Sequence, residues 1–144
     1  MKIRVTGLLV EGDKILLLNQ DTDNGRSWSL PGGKVEEYEP LDAALIREMR
    51  EETGLEVAVK KLAYVCDYFS DTAHIVHMTF MVERVGGTVG DIADNVDTKE
   101  IRGVEFVALH ELQDKGFSKR FQDLAVNDFP GSGNYMGPKS RIGL

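Results

Sequence analysis

Residues 33–55 read GKVEEYEPLDAALIREMREETGL, and this stretch constrains the rest of the chain more than any other. Pro40 suits a first helical turn, Leu41, Ala44 and Leu45 recur at helical spacing, and Gly54 supplies a stop, so the pattern predicts a helix over residues 40–53. Residues on a helix advance by about 100° each, which sets Glu51 near −60° and Glu52 near +40° from Glu48. Three carboxylates therefore share one face, on the azimuth that carries Leu41, Ala44 and Leu45 one or two turns earlier. A stripe that begins facing a core ends acidic.

That arrangement is costly. Like charges three and four residues apart repel by a few tenths of a kcal/mol per exposed pair, and negative charge near a helix carboxy terminus opposes the macrodipole. Arg47 and Arg50 lie near −100° and 200° on the same wheel, which predicts that neither sits among all three acids. A hard divalent cation, Mg²⁺ or Mn²⁺, answers the charge better, because it takes oxygen ligands from carboxylates, waters and backbone carbonyls. Gly33, just upstream, offers such a carbonyl. The competing reading is a solvated helix face with local pairing, such as Glu51 with Arg47 four residues before it.

Working outward, two apolar runs, residues 3–10 and 15–18, flank Glu11-Gly12-Asp13 and predict a β-hairpin. Residues 21–26 form a polar loop, and a short apolar return at 28–30 leads into Pro31-Gly32-Gly33. Beyond the helix, residues 55–70 and 73–85 are rich in Val, Ile, Tyr and Phe and predict two long strands separated by Asp71-Thr72. A strand is expected at 101–109, a short helix at 111–113 and a helix at 118–127, where Phe121, Leu124 and Ala125 have helical spacing. The tail, residues 129–144, is rich in Gly and Pro and is expected either to dock as a loop or to fray. The order of elements describes one mixed α/β domain over residues 1–144, or α+β by some schemes.

The constrained positions of the decisive stretch are Gly33, Glu39, Arg47, Glu48, Met49, Glu51, Glu52, Gly54 and Leu55. They match G-x5-E-x7-R-E-U-x-E-E-x-G-U, with U apolar, at all nine places. At ordinary residue frequencies a chance match is on the order of one in 10⁹ per starting position. The chain resembles the Nudix hydrolases, and the resemblance extends to the approach Trp28-Ser29-Leu30-Pro31-Gly32-Gly33 and to residues 101–112, IRGVEFVALHEL. It implies an α/β/α sandwich around a central mixed β-sheet. It also implies hydrolysis within the pyrophosphate of a nucleoside diphosphate-linked substrate, by water attack at phosphorus with a divalent metal. By resemblance Glu48 and Glu52 bind metal, Glu51 binds a further metal or its water shell, and the Gly33 carbonyl completes the inner site. Glu39 and Arg47 are then the pair that orients the box.

The general base stays open between Glu51 or Glu52 and the loop acids Asp91, Asp94, Asp97 and Glu100. Markers of other Nudix subfamilies are missing: Ser70 and Asp71 stand where an ADP-ribose hydrolase would carry proline, Tyr68 comes too early for the dinucleoside polyphosphate pattern, and no NADH-type array appears. By elimination the chain resembles the MutT-like nucleoside triphosphate pyrophosphohydrolases, with ADP-ribose or nucleotide-sugar hydrolysis and a non-catalytic nucleotide-sensing module as alternatives. Trp28, Tyr64, Tyr68, Phe69, Phe80 and Phe106 lie in strand-like runs and are expected to pack in the fold. His74 and His77 are an odd number of residues apart and predict opposite sides of a strand, so they form no metal pair. Tyr135 is a candidate to close over a base or a partner subunit.

The 144 residues carry 17 Lys plus Arg against 24 Asp plus Glu, a net charge of −7. That balance argues against a sequence-independent grip on a nucleic acid polymer, which depends on basic contacts to phosphate. Apolar runs are too short for a membrane span or a secretory signal, which points to the cytoplasm. The single cysteine, Cys66, forms neither an internal disulfide nor a multi-cysteine zinc site and is expected to be a buried spectator. Family resemblance and free strand edges leave room for a homodimer.

Overall fold

The Val-, Ile- and aromatic-rich runs after the central helix form the two long strands on which the molecule is built. The computed structural model describes residues 1–92 and 99–144. Strand β1 is Lys2–Leu8, β2 Val10–Glu11, β3 Lys14–Asn19 and β4 Gly32–Lys34; helix α1 is Leu41–Thr53; β5 is Leu55–Phe69, β6 His74–Gly87 and β7 Gly103–Ala108; helix α2 is Lys119–Val126 and β8 Asn134–Pro138. Short 3-10 turns occupy Leu109–Glu111, Gln113–Lys115 and Lys139–Ile142.

Among the described residues a mixed five-stranded sheet runs β4-β1-β6-β5-β8, and a smaller sheet runs β2-β3-β7. The pairs β1–β6 and β5–β8 are parallel; β1–β4 and β5–β6 are antiparallel. Helix α1 buries Ala44, Leu45 and Met49 against Val5, Leu55 and Val57 on one face. Helix α2 buries Phe121, Leu124 and Ala125 against Leu8, Tyr64 and Cys66 on the other. The result is the expected α/β/α sandwich, and each large apolar side chain so buried contributes about 1.5–3 kcal/mol.

Helix α1 ends as its sequence directs. Thr53 donates its hydroxyl to the Met49 carbonyl (2.6 Å) and accepts from the Leu55 N–H (3.1 Å). Gly54 takes the left-handed conformation, φ 81°, which turns the chain into β5 without the penalty a side chain would meet there.

Three expectations need correction. The amino-terminal run 3–10 is not one hairpin arm. β1 lies in the large sheet, and only the two-residue β2 pairs with β3, in the small one. The run 15–18 is buried on both faces, Ile15 and Leu17 to one core and Leu16 to the other, so an unbroken apolar run was compatible with either sheet. Tyr68 and Phe69 do not pack inside: the end of β5 outruns its helical cover, and Phe69 is 76% exposed. The tail neither frays nor docks as a loop. It adds β8 to the edge of β5 and seals the lower core with Phe129 and Ile142. No helix among the described residues is long and apolar enough to cross a membrane.

Candidate active site

The carboxyl half of α1 faces the β4 edge, and β4 brings two glycines within reach of its acids. Gly33 pairs with Val5 and Gly32 with Thr6. The Gly32 N–H donates to Glu52 Oε1 at 2.7 Å. A methyl group on Gly33 would come within 2.5 and 2.6 Å of the two Glu48 carboxylate oxygens, so this carboxylate occupies space that only glycine leaves. Glu48 is 7% exposed and Glu52 3%. Burial at that level is rare for glutamate without a compensating partner.

Arg47 is the hub. Its Nε and Nη2 donate to the two oxygens of Glu39 at 2.8 and 2.9 Å, a bidentate fork, and Nη2 also donates to the Lys34 carbonyl at 3.1 Å. Nη1 donates to Glu48 Oε1 at 2.9 Å and to Glu51 Oε2 at 3.3 Å. Those hydrogen bonds hold the Glu39 carboxyl below the usual carboxylate range and raise the guanidinium above its ordinary value. Glu39 in turn accepts from the Glu36 N–H at 3.0 Å, which ties the loop before α1 into the same network.

Arg47 hydrogen-bonds two of the three acids, Glu48 and Glu51, while Glu52 accepts from the Gly32 N–H, in line with the wheel's expectation that it does not sit among all three. Its long side chain also makes the expected pairing with Glu51. Arg50 behaves as expected: it turns away to Glu56.

The structure thus gathers Gly33, Glu39, Arg47, Glu48, Glu51 and Glu52 at one end of α1. Among the described residues no three His, Cys, Asp or Glu side chains form a ready-made cation site. Glu51 points to Arg47, and its side chain is 27% exposed. Glu48 and Glu52 are the two acids brought against the Gly32-Gly33 backbone. Two buried carboxylates beside a backbone segment form an oxygen-only donor set, which fits a hard divalent cation.

Of the loop acids, Asp91 has its backbone packed against Gly54 at the carboxyl end of α1, and Glu100 is exposed; Asp94 and Asp97 lie outside the described residues. His74 and His77 occupy successive regular register positions three apart, on opposite sides of β6. Cys66 is buried, and burial pushes its thiol above the ordinary range. Tyr135 is 67% exposed and donates to Asp67 at 2.9 Å. Sequence reading missed the Gly32 N–H and the Lys34 carbonyl. Both are backbone groups, and no side-chain pattern marks them.

Residues 1–125 match the family described as the NUDIX domain. The chain is similar to an ADP-ribose pyrophosphatase of Methanocaldococcus jannaschii, 31% identical over 80% of this chain and 66% of the relative. It is also similar to a CTP pyrophosphohydrolase of Escherichia coli, 36% identical over 53% of this chain and 58% of the relative. The chain therefore spans between half and two thirds of the length of these curated relatives. Among solved structures, a NUDIX hydrolase from Nitrosomonas europaea superposes with a TM-score of 0.70 at 19% identity, covering 89% of this chain and 87% of that one, a likeness of fold.

Proposed function

Because the chain belongs to the NUDIX domain family, we propose that it hydrolyses a phosphoanhydride bond in a nucleoside diphosphate-linked substrate. The observation that carries this reading is the Arg47 hub, which fixes Glu39, Glu48 and Glu51 around one guanidinium while Glu52 and Glu48 abut the Gly32-Gly33 backbone. Glu48, Glu52 and the Gly33 carbonyl would hold a divalent cation, Mg²⁺ or Mn²⁺, with Glu51 serving a further ion or its water shell. Such an ion, when bound, neutralises phosphate oxygens and lowers the pKa of water.

The chain's own groups do the rest. Arg47 and Glu39 are positioning residues that keep the acids in register. Glu51, the acid of the box that reaches solvent, accepts the proton of the attacking water. The water oxygen bonds to phosphorus, the bridging P–O bond breaks, and the leaving phosphate carries away the electron pair.

We favour nucleoside triphosphates as substrate, cleaved to the monophosphate and pyrophosphate, on the absence of the downstream markers of other subfamilies. ADP-ribose is the second reading, favoured by the name of the relative that covers 80% of the chain. The test is phosphate release from nucleoside triphosphates, with and without added pyrophosphatase, and from ADP-ribose with added phosphomonoesterase, which frees phosphate from the AMP and ribose 5-phosphate products, using wild type and Glu52→Gln. The glutamine oxygen can still accept from the Gly32 N–H, so folding should persist while turnover falls at least 100-fold, about 2.7 kcal/mol in barrier. EDTA should silence the wild type. Release that requires pyrophosphatase supports triphosphate cleavage; turnover confined to ADP-ribose supports the second reading. Unchanged turnover in Glu52→Gln would remove that residue from the site.

A further inference from the structure

On the opposite face of the large sheet from α1, the strand register assembles a second charged group. Arg4 of β1 pairs with His77 of β6, and His77 pairs with Cys66 of β5. Directly paired residues point to the same face, here the one that carries Leu8, Tyr64 and α2. Cys66 pairs in turn with Gly137 of β8, and a side chain built at Gly137 would meet nothing within 4 Å. Two residues on, Lys139 enters from the tail. Arg26 arrives from the loop after β3. Its guanidinium lies over the Phe117 ring at 4.3 Å. Its backbone is locked by Thr22, which donates its N–H to the Arg26 carbonyl (2.8 Å) and accepts from the Arg26 N–H (3.0 Å).

These basic groups lack the carboxylate partners that four of the chain's six other arginines have. Among the described residues, Arg47, Arg50, Arg84 and Arg102 each meet a carboxylate, whereas no ion pair involves Arg4, Arg26 or Lys139. The carboxylate that feels Arg4 is Asp23, and it is bonded to Lys99 at 2.6 Å. Arg26 Nη1 is buried and has no hydrogen-bond partner among the described residues. Burial first, and then the charges of Arg26 and Arg4, hold the Lys139 ammonium below the usual lysine range. Burial and the charges of Lys139 and Arg4 keep the neighbouring His77 neutral. Arg26 and Lys139 are partly buried and Arg4 is exposed, and partly buried donor-only cations with no ion pair of their own among the described residues are unfavourable in the free protein. An anion with several acceptor oxygens relieves that cost, and a phosphate suits both a guanidinium and an ammonium.

We infer that Arg4, Arg26 and Lys139 form a phosphate-binding site on this face of the sheet, distinct from the acidic end of α1, with the tail supplying its lysine. The phosphate is either a further group on the substrate, remote from the bond cleaved, or a free anion. The first source rests on the hydrolytic reading above; the site itself does not.

The binding experiment is a titration with inorganic phosphate, followed by thermal midpoint, at constant ionic strength set with chloride and with EDTA present so that no divalent metal contributes. Wild type should show a saturable rise, as for any ligand that binds only the folded state. In Lys139→Met and in Arg26→Gln the phosphate concentration for half effect should increase at least tenfold, and Lys139→Arg should stay near wild type. Glu52→Gln should respond as wild type does, which separates this site from the hydrolytic one. Should both charge-removing variants respond as wild type, or should wild type show no saturable rise, the site is overturned. Two variants guard against a packing effect, since Arg26 stacks on Phe117 and Lys139 does not. Inhibition of nucleotide hydrolysis by phosphate then separates the sources: competitive inhibition that weakens in Lys139→Met identifies the substrate's own phosphate, and non-competitive inhibition that weakens likewise identifies a free anion.

Discussion

Gly33 concentrates the logic of the site in one missing side chain. The two Glu48 oxygens lie where a Gly33 methyl group would be, at 2.5 and 2.6 Å, and they are the tip of a flexible side chain. Gly33→Ala should therefore move the carboxylate and leave the strand intact. The expected outcome is a fall in turnover of at least tenfold, about 1.4 kcal/mol, with about 1 kcal/mol or less lost in urea unfolding. Gly32 is a different case. A methyl group there would run into the Val5 carbonyl and to 2.8 Å from the Thr6 Cα, which are backbone atoms of the neighbouring strand and cannot swing away. Arg47 adds the complementary point that one arginine with a fixed fork can satisfy three glutamates that repel one another.

At the level of elements, the second helix and the tail hold each other. Ser118 caps α2 by accepting from the Phe121 N–H at 3.1 Å, and its hydroxyl donates to the Gly143 carbonyl at 2.8 Å. Arg120 Nε reaches the Arg141 carbonyl at 3.0 Å. Ser118→Ala removes both bonds of the serine. The cap contributes about 1 kcal/mol and the second bond about 0.5–1.5 kcal/mol. Urea unfolding should show a loss of roughly 1.5–2.5 kcal/mol, with the thermal midpoint down by about 3–10 °C for a chain of this size. The tail strand depends on a further long-range bond, Tyr64 hydroxyl to the Pro130 carbonyl at 2.6 Å, so the edge of β5 is covered by several weak ties and no single strong one.

Across the whole molecule, charge is sorted by face: acids at the end of α1 on one side of the large sheet, Arg4 and Lys139 with the neutral His77 on the other. Sorting has a consequence for acid stability. Burial, Lys139 and Arg4 lower the His77 pKa from 6.5 to about 4, and the groups around it are Arg4 on β1, Cys66 on β5 and Lys139 from the tail. Between those two values the unfolded chain binds a proton that the folded protein refuses. Stability therefore rises with pH across that window and is lost as pH falls from about 6.5 towards about 4. The ring is partly solvated, so the full linkage value is discounted to roughly 1 kcal/mol at pH 5. Unfolding at pH 7 and pH 5 should show a smaller pH-dependent loss in His77→Gln than in wild type, and an equal loss in both would remove His77 as the cause.

Much of this protein was legible before any coordinates. The helix over Leu41–Thr53, its Gly54 stop, the acidic face and the flanking glycines are local patterns, read from 3.6-residue periodicity and the stereochemistry of one residue type. The two long strands followed from β-branched and aromatic runs. Register and reach were not legible, because they depend on residues far apart in the chain. The hairpin about Glu11-Gly12-Asp13 forms, but only Val10–Glu11 pairs across it, and the rest of the first run joins the large sheet because its pairing partners, β4 and β6, lie far along the chain. Arg47 meets two of the three helix acids as its azimuth allows, but its bond to the Lys34 carbonyl depends on where β4 lies. The tail looked like loop because Gly and Pro mask a strand whose stability comes from pairing with β5. The row Arg4-His77-Cys66 and the arrival of Lys139 and Arg26 beside it exist through cross-strand pairing and loop docking alone, so charge that is scattered along the sequence becomes a site when the sheet forms.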